Sequence, residues 1–290
     1  PLRSFLRRAI SDRAENFWIH SYHSLCRQLV LKAGLKTASQ IDDHFEQFCA
    51  KSTDSAWKAL DQFSPMFHTV VIDEGQDFKQ EWWELIQMLV RDKPKGKLRV
   101  FRDNNQKIRW DGDAVFEGLQ GPFLLDEIVR STREIGLTAN TFYDGEEVKI
   151  NGPEGISVRW QPNTNEALTV EKLVRRYITY EGIKPEELAI LTFQPLASSV
   201  FSNLSEIAGF PIMRADSDKN NIVLDTVHRF KGLERNAIIL CGYPDDQPTE
   251  TLLYVGISRA KSCLAVVGPE SGINATRKIV EESIKASPHP

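Results

Sequence analysis

Asp73, Glu74 and Asp77 close the stretch Phe67-His68-Thr69-Val70-Val71-Ile72-Asp73-Glu74-Gly75-Gln76-Asp77. An apolar, β-branched run ends there in two adjacent carboxylates, with a third three residues on. A short run of this kind, bounded by polar residues, reads as a buried strand of a parallel sheet. Ligands bind such sheets at the carboxyl ends of the strands, where Asp73 and Glu74 fall. Paired carboxylates at that position suit Mg²⁺ shared with phosphate oxygens, together with a base that orients water. The plainer reading is a strand that runs into a solvated acidic turn.

Four further segments carry groups of chemical interest. Leu98 to Gln106 is a strand followed by Arg-Asp-Asn-Asn-Gln. A Gln past an adjacent strand can reach a phosphate or the attacking water, although Asp and Asn clusters also make ordinary turns. Leu125-Asp126-Glu127-Ile128-Val129-Arg130-Ser131-Thr132-Arg133 and Val223 to Glu234, which contains Thr226-Val227-His228-Arg229-Phe230-Lys231-Gly232-Leu233-Glu234, follow. In Leu253-Tyr254-Val255-Gly256-Ile257-Ser258-Arg259-Ala260-Lys261 a helix would present an arginine. An arginine delivered to a γ-phosphate stabilises transition-state charge, while any single one is equally a surface cation.

These groups need a scaffold, and the pattern supplies one. The 290 residues, 41% hydrophobic and 26% charged, describe an ordinary globular chain of one large or two ordinary domains. The net charge of −4 argues against a histone-like binder and leaves room for a local nucleic-acid channel. Cys26, Cys49, Cys241 and Cys263 are scattered without a CxxC, which argues against structural zinc and a disulfide framework and suits a reducing cytoplasm. No apolar run reaches membrane-spanning length and no signal peptide opens the chain, so no membrane partner is expected.

The first half reads as a strand at Phe17 to His20, a helix at Tyr22 to Ala33 and a polar helical insert at Asp42 to Leu60. The strand ending at Asp73, a helix at Lys79 to Val90 and a strand at Leu98 to Phe101 follow. Asp111 to Pro122 looks like a linker. Beyond it strands are expected at Leu124–Val129, Ile156–Trp160, Leu188–Phe193, Ile222–Asp225, Ala237–Cys241 and Cys263–Val267. Helices fall between them at Glu134–Tyr143, Glu166–Tyr180, Leu196–Ala208, Thr249–Ala260 and Ala275–Ile284. Alternation of this kind argues for an α/β fold with two parallel sheets, one on each side of the linker.

Taken in order, the segments resemble the motor of superfamily 1 helicases, in particular the UvrD/Rep-like group. The matching elements are D-E-G-Q-D at Asp73 to Asp77, D-x-x-Q at Asp103 to Gln106 and R-S-T at Arg130 to Thr132. T-x-H-x-x-K-G-L-E at Thr226 to Glu234 and L-Y-V-G-x-S-R-A at Leu253 to Ala260 continue the series. Ser21-Tyr22-His23-Ser24-Leu25-Cys26 is similar to the family's T-F-H-S-L-C segment, which contacts single-stranded DNA. The likeness runs from His20 to about Gly268 and is collinear with the family.

The resemblance implies two RecA-like (P-loop NTPase) domains, 1–121 and 122–290, the first incomplete at its amino end. It implies an ATP-dependent helicase or translocase on single-stranded DNA, moving 3′ to 5′, with ATP and Mg²⁺ as cofactors and ATP hydrolysed between the domains. RNA is left open as a partner. By this likeness Asp73 holds Mg²⁺, Glu74 polarises the attacking water and Gln106 senses the γ-phosphate. Arg130 and Arg259 reach that phosphate, and Gly232 and Glu234 belong to the nucleotide side, with Glu234 on the sugar. Thr226 and His228 face the DNA strand or link it to the nucleotide, and Tyr22, His23 and Ser24 line its path. Trp110 is either a base-stacking platform or a linker aromatic packing between domains.

One expected part is missing. No G-x-x-x-x-G-K-[ST] loop, which cradles phosphates, occurs in the sequence. In the family this loop lies upstream of the S-Y-H-S-L segment, so the chain is expected to be the carboxy-terminal portion of a longer parent and inactive by itself. The short spans between motifs point to a minimal motor, with a fused or associated nuclease module as a possible partner. Two other readings stand beside the motor: a catalytically silent helicase-like scaffold, and an ATP-gated regulatory subunit of a nuclease or defence complex.

Overall fold

The computed structural model describes Arg3, Leu6, Ala9 and residues 17–63, 66–91, 96–106, 116, 118–145, 148–217, 221–244 and 248–286. The chain divides into two compact units, Arg3–Pro122 and Phe123–Pro290.

In Arg3–Pro122, from Tyr22 on, the described helices are α1 (Tyr22–Lys32), α2 (Ala38–Asp42), α3 (Phe45–Ala50) and α4 (Ser52–Leu60). Strand β1 (Thr69–Ile72), helix α5 (Gln80–Leu89) and strand β2 (Lys97–Val100) follow. Helix α1 buries Tyr22, Leu25, Cys26, Leu29 and Val30, the i, i+3, i+4, i+7, i+8 stripe of a helix with one apolar face. That stripe packs with Ala56 and Ala59 of α4 and Trp83, Ile86 and Leu89 of α5. β1 and β2 run parallel, from Thr69 opposite Lys97 to Ile72 opposite Val100.

Two expectations change here. Phe17 to His20 forms no strand, and Trp18 packs against the Phe67 ring and under Lys32. Asp42 to Leu60 is not one helix. His44 and Lys51 leave helical geometry, at φ −133° and −121°, and cut the segment into short pieces.

In Phe123–Pro290 a seven-stranded sheet has the order β5 (Arg159–Pro162), β11 (Ala260–Gly268), β10 (Arg235–Cys241), β6 (Leu188–Thr192), β9 (Ile222–Thr226), β8 (Phe210–Met213), β7 (Glu206–Ile207). Every pairing is parallel except β7 with β8. A separate parallel pair joins β3 (Glu127–Ile128) to β4 (Lys149–Ile150). The helices are α6 (Arg133–Asn140), α7 (Glu166–Arg175, continued by a π turn to Tyr180), α8 (Val227–Phe230), α9 (Glu250–Ile257) and α10 (Glu270–Ala286). All five residues of β6 are buried. Leu188 and Ile190 join one core with Val170, Leu173 and Tyr177 from α7 and the π turn. On β10, Leu240 meets Gly256 of α9. Continuous apolar strands are what a parallel sheet covered on both faces requires.

The helix expected over Leu196–Ala208 is absent. A single 3₁₀ turn at Leu196–Ser198 gives way to the β7–β8 hairpin, whose turn residues Ala208 and Gly209 both have positive φ. Such a two-residue turn matches the twist of paired strands. The fold is thus mixed α/β with a sheet dominated by parallel strands. Among the described residues the first unit contributes only β1 and β2 to a parallel sheet.

Candidate active site

β1 delivers the acidic box. Asp73 lies exposed just past its end, and its Oδ1 accepts the Glu74 N–H at 3.0 Å. Glu74 has φ 55°, a left-handed conformation uncommon outside glycine and retained where the surroundings over-determine it. The next residue supplies the constraint. Gly75 N–H donates to Phe101 O at 2.8 Å. A Cβ at Gly75 would stand 2.5 Å from Val100 Cγ1, so only glycine lets the two strand ends approach this closely.

A hydrogen-bonded chain crosses from β1 to β2. Gln76 Nε2 donates to Glu74 Oε2 at 2.6 Å. Gln76 Oε1 accepts the Asp103 N–H at 3.0 Å. Gln106 Nε2 donates to Asp103 Oδ2 at 2.9 Å. Gln76, the pivot, is 3% exposed. The chain brings Glu74 and Gln106 together through two residues that sequence reasoning quoted and gave no task. An amide spaced i, i+2 from a glutamate carries no local sign of a partner 27 residues away.

These residues fit one side of a Mg²⁺–nucleotide site. Mg²⁺ uses one or two carboxylates and completes its shell with phosphate oxygens and water, and Asp73 beside Glu74 supplies that set. Among the described residues no three His, Cys, Asp or Glu side chains form a metal cage. The phosphate-cradling loop is not in the sequence.

The S-Y-H-S segment opens α1. Tyr22 is 8% exposed, its ring stacks on Trp82 at 4.3 Å and its OH donates to Thr53 Oγ1 at 3.0 Å. Burial raises its pKa far above the ordinary phenol value. Tyr22 therefore builds the wall of this region, while Ser21 is exposed and His23 and Ser24 are half-buried. His23 Nδ1 bonds Ser52 Oγ at 2.8 Å and Ser24 Oγ bonds His20 Nδ1 at 3.0 Å. Trp110 lies outside the described residues.

In the second unit Arg130 and Glu234 meet at the amino ends of β10 and β11, beside the backbone of Arg259. Thr132 N–H donates to Lys261 O and Arg235 N–H donates to Arg259 O, which ties the three segments together. Arg130 forms an ion pair with Glu234, and Lys261 Nζ lies 3.7 Å from the other Glu234 oxygen. Lys261 is a member the sequence did not announce. Gly232, at φ 78°, makes the turn that leads into Glu234. Arg259 follows the end of α9 instead of riding on the helix. It is 5% exposed, and its Nε donates to Val255 O and its Nη2 to Ser258 Oγ, each at 2.9 Å.

Thr226 and His228 belong to the opposite edge of the sheet, at the carboxyl end of β9. Thr226 caps α8 by accepting the Arg229 N–H at 3.2 Å and lies in register with Thr192 of β6. The fully buried Asp225 fixes this turn, accepting from the N–H groups of Ala215 and Thr226 and from Arg229 Nε. The half-buried Glu166 carboxylate accepts the Gly242 N–H at 2.7 Å on the same edge. Burial raises its pKa, and the Gly242 bond only partly offsets that.

Residues 221–267 match the family described as the UvrD-like helicase C-terminal domain. The matched span holds both Thr226 to Glu234 and Leu253 to Ala260. Over that span the chain is similar to the carboxy-terminal domain of UvrD-like helicases. No curated protein matches the sequence. Among solved structures, it is similar to the C-terminal domain of a possible DNA helicase from Lactobacillus plantarum WCFS1, with 18% identity and a TM-score of 0.37 over 49% of this chain and 87% of that one. It is also similar to the PRRSV helicase, with 13% identity and a TM-score of 0.44 over 74% of this chain and 38% of that one. Both likenesses are too distant to bear on fold or function. Among the described residues no helix is long and apolar enough to cross a membrane.

Proposed function

We propose that this chain is part of an ATP-dependent motor that moves 3′ to 5′ on single-stranded DNA in the cytoplasm, built on two RecA-like domains, 1–121 and 122–290. The observation that carries the reading is the Glu74–Gln76–Asp103–Gln106 chain. It holds a carboxylate through one oxygen and links it to an amide on the neighbouring strand end. A base oriented in this way suits activation of water, and an amide coupled to it suits sensing of the phosphate that water attacks.

Bound Mg²⁺–ATP supplies the phosphoryl group to be transferred, and Asp73 is the residue that would hold the metal. Glu74 takes the proton of the water, and Gln106 positions it. Arg130 and Arg259 are assigned to the γ-phosphate, and Gly232 and Glu234 to the nucleotide side. His23, Ser24, Thr226 and His228 are assigned to the strand, which is gripped with little regard to sequence.

The test is ATP turnover by the natively expressed protein, with and without single-stranded DNA, beside Glu74→Gln. Turnover that DNA stimulates and the variant loses, with ATP binding retained, supports the motor. Near-normal turnover by the variant overturns the assignment of Glu74. The same assay separates a second reading, a helicase-like scaffold or ATP-gated regulatory subunit of a nuclease complex. Absence of turnover with and without DNA selects the scaffold.

A further inference from the structure

Resting on the nucleic-acid reading above, we propose that His23 is a neutral hydrogen-bond acceptor that contacts donor groups of a single strand, namely nucleobase N–H or ribose 2′-OH, and not its phosphates. The argument follows one proton. Ser52 Oγ–H donates to Cys49 O at 3.1 Å. A hydroxyl has one hydrogen, and with it on Cys49 O we assign the 2.8 Å contact between Ser52 Oγ and His23 Nδ1 a proton from the imidazole. Neutral His23 is then the Nδ1–H tautomer, and Nε2 carries the lone pair.

The ring cannot readily turn over to exchange its nitrogens. Trp82 packs edge-on against it at 5.3 Å and 78°, and the Tyr22 ring lies at 5.8 Å. Among the described residues no protein group bonds Nε2. Burial, helped by the Lys79 cation on the neighbouring turn, lowers the pKa of His23 and keeps the ring neutral. Phosphate oxygens are acceptors, so a neutral acceptor gives them nothing. Base edges and the 2′-hydroxyl offer donors. The exposed Lys79 supplies the nearby positive charge.

The experiment uses the full chain and three labelled oligonucleotides of one length: single-stranded DNA, the same sequence as RNA, and abasic DNA. Binding is measured by anisotropy over a salt series for wild type and His23→Ala. If nucleobases are the donors, His23→Ala weakens DNA and RNA roughly three- to tenfold, the worth of one hydrogen bond. Abasic DNA is then unaffected and the salt slope unchanged. If the donor is the 2′-hydroxyl, only RNA weakens.

Equal weakening on abasic DNA with a shallower salt slope means a phosphate contact and overturns the proposal, as does unchanged binding to all three. Failure of wild type to bind any of them overturns the nucleic-acid reading itself, and the proposal with it. A second measurement leaves His23 itself unchanged. The ¹⁵N shifts of His23 in the wild type should show Nδ1 protonated and Nε2 bare, and Ser52→Ala should move the population toward Nε2–H. A wild-type ring protonated at Nε2 overturns the proposal whatever the binding shows.

Discussion

The ends of β1 and β2 and the amino ends of β10 and β11 each hold a reactive side chain in place, and they do it by opposite means. The first uses neutral amides around a glutamine that is 3% exposed. The second uses an ion pair whose arginine side chain is 78% exposed and whose glutamate is 19% exposed. A buried amide chain is rigid because each broken bond strands a polar group away from water. An exposed ion pair contributes little to stability because water and salt compete for both partners. The first arrangement suits a base that must keep one geometry. The second suits an arginine that must leave its partner for a phosphate and return.

The largest expected effect tests the rigid half of this contrast. Gln76→Ala removes both bonds of the pivot, leaving Glu74 Oε2 and the Asp103 N–H without this partner. Stability should fall by about 1–3 kcal/mol in denaturant melts. Turnover of the natively expressed protein should fall about 10²-fold, the scale of a misplaced catalytic group. Unchanged turnover would mean that the amide chain does not orient Glu74.

The exchangeable half predicts a smaller change. Glu234→Gln cancels the charge facing Arg130 and Lys261, yet stability should stay within about 1 kcal/mol of wild type. A larger loss in the same melts would show that the pair is structural and would erase the contrast.

The smallest effect sharpens the point that burial, and not charge, sets rigidity. The raised pKa of Glu166 means that the folded state binds more protons than the unfolded state at mildly acidic pH. Its contribution to stability should therefore be greatest below the ordinary carboxylate value and decline as pH rises toward the folded-state value, then level off. Glu166→Gln keeps an acceptor for the Gly242 N–H and should flatten that decline. A profile with the same slope in wild type and variant would assign the pH dependence elsewhere.

Much of the fold was legible because the cues are local. The alternation of apolar strands and amphipathic helices located β1, β6, β9, β10 and β11 and the cores of α1, α5 and α7. The cues failed where a short segment depended on a distant partner. Phe17 to His20 has strand-forming residues but meets an aromatic ring and a lysine instead of a ladder. Leu196 to Ala208 has helical spacing, yet the Ala208-Gly209 turn pairs its end with Phe210 to Met213. Tyr22 reads as part of a strand-binding motif, and its burial against Trp82 is invisible without α5 beside it.

By itself the sequence determined which chemical groups the chain owns and in what order they come. It placed an acidic box at the end of a β-branched run, a glutamine after the next strand and arginines flanking a T-x-H-x-x-K-G-L-E segment. Those assignments rest on spacing within a few residues, which backbone geometry translates directly into position. Only the tertiary structure decided which groups meet. The bonds of Gln76 with Asp103, His23 with Ser52 and Arg130 with Glu234 join residues 27, 29 and 104 positions apart. Their partners are set by strand register and helix packing, and a shift of one residue would turn each side chain to another face.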